Sequence, residues 1–90
     1  MVTLSGASPE ALFGATLREL RSERGLSQEE LARRSDLHRT FVSQIERGLK
    51  SPSLGSLSKL AHALDISLVE LVAAIPGADA NGKPPRGAGS

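Results

Sequence analysis

Hydrogen-bonding side chains recur along residues 39–47 at spacings that place them on one side of a helix. They fall within an arc of about 140° when the segment is drawn at about 100° per residue, while Phe41, Val42 and Ile45 fall on the opposite side. Arginine, glutamine, threonine and serine are residue types that hydrogen-bond base edges in DNA. Such a face can serve simple solvation or base recognition, and the surrounding sequence must distinguish the two. The polar side chains are Arg39, Thr40, Ser43, Gln44 and Arg47.

A capped helix precedes this segment and would position it. Ser27 is a good N-cap, and Glu30 three residues later completes a predicted capping box. The helix is predicted over residues 28–35, and a tight turn at Asp36 joins it to the helix of residues 39–47. Two short helices coupled in this way are typical of a helix-turn-helix unit, which favours DNA binding over simple solvation.

Three further helices are predicted, over residues 9–24, 54–64 and 68–75, and each begins after a serine. Within the first, Gly14 costs about 1 kcal/mol relative to alanine, so either a neighbouring backbone approaches it closely or the glycine is simply tolerated. The helix of residues 54–64 has a wide apolar face. Its members are Leu54, Leu57, Leu60, Ala61 and Leu64.

The last predicted helix, residues 68–75, is apolar on nearly all sides, although a surface helix needs only one apolar stripe. The surplus predicts that Val69, Val72 and Ile75 form an interface with a second copy of the chain. The alternative is that this helix lies at the centre of the monomer core.

These elements together predict an all-α fold, with one five-helix domain over residues 9–75 and a helix-turn-helix at its second and third helices. Residues 1–8 show no periodicity and are expected to form a flexible arm. Residues 76–90 are rich in glycine, proline and alanine, and a disordered tail is predicted there.

Composition excludes several classes of protein. The 90 residues include no cysteine, which rules out a disulfide framework and a cysteine-based zinc site, and no apolar run approaches the roughly 20 residues that span a membrane. His38 and His62 are the only histidines, and no acid pair, glycine-rich phosphate loop or metal-ligand cluster accompanies them. We therefore expect no enzyme activity, no cofactor, no metal, no membrane partner and a cytoplasmic location.

The charge distribution favours one local contact with nucleic acid. The formal net charge is only +1, so the chain as a whole is not a polycation. Residues 39–50, however, hold three cations and a single acid, Glu46. Electrostatic attraction to phosphate is therefore expected along this stretch.

Over residues 13–72 the chain resembles the DNA-binding domain of the phage repressor and Cro family, also called the xenobiotic-response-element family. Several segments carry the resemblance in the right order: FGATLRELR, GLSQEELA, LHRTFVSQIERG, SPSLGSLSKLAHAL and ISLVEL. The stretch LHRTFVSQIERG is especially similar to the small controller proteins of restriction-modification systems. One segment would be a weak signal, whereas the ordered set is specific.

The resemblance implies roles for particular residues. Arg39 is the first candidate for reading guanine through its O6 and N7 atoms. Arg21 and Glu46 are expected to form a structural ion pair that ties the first helix to the third. The residues implied to face bases in the major groove are Arg39, Thr40, Ser43 and Gln44. The residues implied to contact phosphates are Gln28, His38, Arg47, Lys50 and Ser51, although His38 could instead cap the third helix.

The resemblance also implies double-stranded DNA as the partner, bound by a homodimer at a roughly palindromic operator, with RNA polymerase as a further candidate partner. The rival function is a protein-interaction module, such as an antitoxin-like or repressor-binding domain; the polar arc of the third helix lacks the apolar anchors that a docking surface needs. In two turns this chain departs from the family, because Asp36 and Asp65 stand where glycine is frequent. Aspartate tolerates the left-handed conformation less well than glycine.

Overall fold

The computed structural model describes residues 7–77, and five helices lie within that range. The described part of the chain contains no strand, so the predicted all-α, five-helix fold is confirmed. None of these helices has the length and hydrophobicity of a transmembrane segment. The helices are α1 (Pro9–Glu23), α2 (Gln28–Ser35), α3 (Arg39–Glu46), α4 (Leu54–Ala63) and α5 (Leu68–Ala73).

The predicted arm and tail lie largely outside the described part of the chain, which leaves out residues 1–6 and 78–90. The two predictions therefore remain expectations. Ser8, assigned to the arm, is the N-cap of α1, and its hydroxyl accepts a hydrogen bond from the backbone N–H of Ala11 at 3.0 Å.

Serine hydroxyls begin four of the five helices, because each accepts a backbone N–H that has no partner within its own first turn. α5 carries a complete capping box, since the Glu70 carboxylate also accepts from the backbone N–H of Ser67 at 2.9 Å. The box predicted at Ser27 is wrong in its second half. The Glu30 carboxylate accepts instead from Arg33 and Arg34 on the next turn of α2, where two cations compete for it.

α3 begins without a side-chain cap. His38 occupies the N-cap position in extended conformation, but its imidazole makes no capping hydrogen bond. The alternative role suggested for His38, as a cap, is therefore not adopted, and its side chain stays exposed at the start of the helix.

Four helices end in the same way, with one residue in the left-handed region and the next N–H bonded to a carbonyl five residues back. The left-handed residues are Gly25, Asp36, Gly48 and Asp65. Aspartate therefore takes up the glycine conformation in both turns where it was unexpected. An apolar residue follows each of them, and three of these pack against the core, whereas Leu49 after α3 is 61% exposed.

The core is aliphatic and draws on every helix. Its fully buried members are Leu17, Leu31, Val42, Ile45, Leu60, Leu64 and Leu71. The predicted apolar face of α4 is only partly buried, since Leu54 at its beginning is 70% exposed. Exposure falls along α4 from Leu54 through a half-buried Leu57 to a fully buried Leu60, because only the later turns of this helix reach the core.

α5 sends a single side chain fully into the core, Leu71. Ile75, just beyond the helix, packs partly against the same core. Val69 and Val72 are 76% and 40% exposed. The alternative in which this helix forms the centre of the monomer core is therefore wrong, and two of the three residues predicted for the interface face outward.

Candidate nucleic-acid interface

α3 is amphipathic, and most of its apolar side is buried. Val42 and Ile45 have no exposed surface, and Phe41 is half-buried beside them. An eight-residue helix is marginal on its own, so these contacts decide where α3 lies. The opposite side of the helix is left open.

The four predicted base-reading side chains lie on that open side. Arg39 and Thr40 are exposed in the first turn, and Ser43 and Gln44 are partly exposed one turn later. Residues separated by three or four positions are neighbours on a helix surface, so the structure brings all four into one patch. We call this patch the polar face of α3.

Behind the C-terminal end of α3, a hydrogen-bonded cluster joins three helices. The Glu46 carboxylate, with its side chain only 2% exposed, accepts from Nε of Arg21 at 2.6 Å and from Nη2 of Arg21 at 3.0 Å. The same carboxylate accepts from Nε2 of Gln28 at 2.9 Å. Arg21 also donates through Nη1 to the carbonyl of Leu26 at 2.8 Å. Residues of α1, α2 and α3 are therefore fixed to one another by a single acid.

The cluster is electrically balanced and its hydrogen bonds are satisfied. The hydrogen bonds to Glu46 hold the pKa of the Arg21 guanidinium above its ordinary value, so the cation is retained. Among residues 7–77, no buried side-chain nitrogen or oxygen lacks a hydrogen-bond partner. Glu46 therefore presents little net negative charge to an approaching anion, even though it belongs to α3.

The backbones of α1 and α3 meet at Gly14. A Cβ atom at this position would lie 2.6 Å from the carbonyl oxygen of Glu46 and closer still to that of Ile45. Of the two explanations for this glycine, the close approach of a neighbouring backbone is correct. A second, less close approach lies one turn earlier on α1, where a Cβ atom on Gly48 would lie 3.0 Å from the Ala11 Cα. The C-terminal end of α3 is seated directly on the α1 backbone.

The residues predicted to contact phosphates divide into two groups. Gln28 is half-buried at the first position of α2, and its amide nitrogen is already bonded to Glu46. The other four are exposed, one before α3 and three after it. They are His38, Arg47, Lys50 and Ser51.

Two links were not anticipated from the sequence. The first is the Gln28–Glu46 hydrogen bond, for which the only signal was the position of Glu46 at the border of the apolar side of α3. The second is Arg24, whose Nε donates to the carbonyl of Leu64 at 2.7 Å and ties the end of α1 to the end of α4. No spacing in the sequence indicates this second contact.

Comparison with known proteins places this geometry among DNA-binding regulators. Residues 17–71, more than half of the chain, match the family model described as helix-turn-helix. Control protein C.BamHI of Bacillus amyloliquefaciens is 44% identical over 62 residues, which cover 68% of this chain and 76% of that protein.

Solved structures agree in both sequence and shape. The restriction-modification controller protein C.AhdI from Aeromonas hydrophila is 52% identical, with a TM-score of 0.67 over 69% of this chain and 94% of that one. The clp gene regulator ClgR from Corynebacterium glutamicum is 30% identical, with a TM-score of 0.74 over 84% of this chain and 81% of that one. The predicted resemblance to controller proteins and related repressors is confirmed.

Proposed function

This chain belongs to the helix-turn-helix family of transcription regulators, and we propose that it binds a roughly palindromic operator in double-stranded DNA as a homodimer, with α3 in the major groove. It is a regulator and not an enzyme. One observation carries the proposal: the polar face of α3 is open, while Val42 and Ile45 behind it are fully buried. A helix held in this way can present side chains to base edges without losing its place in the fold.

The proposed division of labour follows from chemistry and exposure. Arg39 donates two parallel hydrogen bonds to O6 and N7 of a guanine, a pairing that suits the planar fork of a guanidinium. The cations and hydroxyls around α3 contact phosphates, which fix the register of the protein but carry no sequence information. The remaining base-facing residues are Thr40, Ser43 and Gln44, and the proposed phosphate contacts are Gln28, His38, Arg47, Lys50 and Ser51.

The proposed dimer forms through the outward side of α5. Val69 and Val72 are exposed aliphatic side chains on a short helix, and a two-fold axis would place the same patch of each copy against the other. The two α3 helices would then reach half-sites about one helical turn apart. At a promoter in the cytoplasm, such a dimer would either block RNA polymerase or contact it.

The experiment that tests the function is selection of bound fragments from random duplex DNA, with the full chain as bait. A palindromic consensus with half-sites about one turn apart is the expected result. If no sequence is enriched although the chain is folded and dimeric, DNA recognition by α3 is wrong and the protein-interaction alternative takes its place.

Arg39→Ala is the sharpest variant, and Lys50→Ala is its matched control. We expect Arg39→Ala to cost about 1–3 kcal/mol at the selected site and to relax the preference at one base pair. Lys50→Ala should weaken binding to all sequences alike and reduce the salt dependence by about one ion. Affinity measured on matched and mismatched duplexes separates the two. An equal loss on every duplex for Arg39→Ala would make Arg39 a phosphate contact.

A further inference from the structure

We propose that Glu46 is a positioning residue for DNA binding, because it orients the Gln28 amide at the start of α2 so that this amide can donate to a DNA phosphate while α3 occupies the groove. The inference rests on the proposed function and deepens it. It gives Glu46 a role toward the ligand in addition to its structural pairing with Arg21.

The orientation of the Gln28 amide is fixed from inside the protein. Its Nε2 donates to Oε1 of Glu46 at 2.9 Å, and a carboxylate can only accept, so the nitrogen and not the oxygen must face inward. The amide nitrogen carries two hydrogens, and the bond to Glu46 uses one of them. The second hydrogen remains for an acceptor outside the protein.

The position of Gln28 suits a phosphate as that acceptor. Gln28 is the first residue of α2, where the positive end of the helix dipole favours an anion, and it is half-buried, so part of its side chain reaches the surface. Glu46 does not repel the anion, because the Arg21 guanidinium neutralises it through two hydrogen bonds. A glutamate in place of Gln28 would face Glu46 with a like charge, whereas the glutamine amide donates both inward and outward.

The arrangement also links the two parts of the interface. Glu46 is the last residue of α3, so the acid that fixes the α2 amide moves with the helix that carries the polar face. The proposed phosphate contact of Gln28 and the proposed base contacts of α3 are therefore positioned relative to each other by the same residue, Glu46. A side chain that is already ordered loses less conformational entropy when it binds.

A double-mutant cycle with Gln28→Met and Glu46→Gln tests the proposal on the full chain and the selected operator. Gln28→Met removes the amide while keeping the length of the side chain, and we expect about a tenfold loss of affinity, as for one hydrogen bond to a charged group. Glu46→Gln should cause a similar loss when Gln28 is present. Added to Gln28→Met, it should cause no more than about a twofold further loss, because the two residues act on one contact.

The affinities are measured at a temperature at which circular dichroism shows every variant to be folded. Glu30→Gln, which removes a partly exposed acid from the same end of α2, is the matched control, and its effect should be equal with and without Gln28→Met. Equal losses from Glu46→Gln in both backgrounds would mean that Glu46 acts on the fold alone, and the proposal would be overturned.

A second variant keeps the test decisive if Glu46→Gln does not fold. Gln28→Asn retains the amide but is shorter by one methylene, so it cannot hold Glu46 and reach outward from the same backbone position. We expect it to bind the operator as weakly as Gln28→Met. Full affinity of Gln28→Asn would overturn the proposal. A wild-type chain that binds no duplex would overturn the proposed function and this inference together, whereas wild-type binding with an additive cycle would overturn the inference only.

Discussion

α3 and α5 are both short helices with an open outer side, but they are held in different ways. The backbone of α3 contacts the α1 backbone at Gly14, and two aliphatic side chains of α3 are fully buried in the core. Hydrogen bonds to Glu46 also connect α3 to α1 and α2. α5 has a complete capping box and one fully buried side chain, Leu71. The apolar side of α3 is therefore largely buried within the protomer, whereas α5 leaves aliphatic side chains exposed.

The difference indicates what each helix is built to meet. A polar outer face on a helix that is fixed from behind suits a ligand that supplies hydrogen-bonding groups, because the helix loses no freedom on binding. An apolar outer face on a helix with few contacts suits a partner that supplies more core, because burial of apolar area is then the stabilising term. This contrast is the reason why we propose DNA as the partner of α3 and a second copy of the chain as the partner of α5.

The largest expected effect comes from breaking the anchor of α3. Arg21→Met leaves the Glu46 carboxylate buried and without its cation, and the loss of one partner from such a pair costs about 3–5 kcal/mol. Urea unfolding measures the change in the free energy of unfolding. Arg18→Met, an exposed position on the same helix, is the control and should change it by less than about 0.5 kcal/mol. Similar losses for both variants would show that the ion pair does not hold α3.

The next effect comes from the backbone contact between α1 and α3. In Gly14→Ala the added Cβ would meet two carbonyl groups of α3, and because backbone must shift to admit it, we expect a loss of about 2–3 kcal/mol. Gly55→Ala is the matched helical control, since its Cβ would meet nothing closer than the Ser53 hydroxyl at 3.8 Å. That substitution should be neutral or stabilising by up to about 1 kcal/mol. If Gly14→Ala were equally harmless, the close contact between the backbones of α1 and α3 would be wrong.

A smaller effect on the protomer, but a clear one on assembly, is expected at α5. Val72→Glu places a charge on the proposed interface and should raise the dimer dissociation constant at least about thirtyfold, which corresponds to about 2 kcal/mol. The protomer should remain folded, because Val72 is 40% exposed. Sedimentation equilibrium measures the first effect and circular dichroism the second. With Ala15→Glu, an exposed position on α1, the dimer should persist; an unchanged dimer in Val72→Glu would remove α5 from the interface.

Periodicity predicted much of α3 and less of α5 and α4, for a physical reason. A helical wheel shows which side of a helix is apolar, so the burial of Val42 and Ile45 could be predicted from the sequence. It does not state how far along the helix the neighbouring helices extend, which is why Leu54 belongs to the predicted apolar face of α4 and is nevertheless 70% exposed. For the same reason, periodicity could not decide whether α5 lies in the monomer core or forms an interface with a second copy of the chain.

The polar contacts divide in a similar way. The serine caps could be predicted because the donor and acceptor are three residues apart and both belong to one turn. The failed half of the Ser27 box shows that a local rule gives way when a nearby cation offers Glu30 a better partner. The Gln28–Glu46 bond joins residues of two helices, and only the packing of those helices determines it. The placement of Arg21 against Glu46 was expected from family resemblance and not from spacing.

The smallest expected effect concerns the turns that lead into α3 and α5. Asp36 and Asp65 hold φ angles of 58° and 63°, a region in which a side chain is strained and glycine is not. Asp36→Gly and Asp65→Gly should each stabilise the fold by about 0.5 kcal/mol, because relief of the strain exceeds the greater freedom that glycine gives the unfolded chain. The contact between Asp36 and Lys59 is long, at 3.9 Å, and both side chains are largely exposed, so its loss offsets little.

Gly25→Ala is the reciprocal control for these turns. Gly25 has a φ of 67°, and a Cβ there would meet nothing within 4 Å, so the substitution tests conformation without packing and should destabilise by about 1 kcal/mol. Urea unfolding of the three variants shows whether each substitution raises or lowers the free energy of unfolding. Because α3 is positioned by Gly14 and Glu46, Asp36→Gly should leave operator affinity unchanged while it raises stability. A change of operator affinity in that variant would show that the turn also sets the position of α3. The difference between α3 and α5 would then depend on the turns before them as well as on their packing.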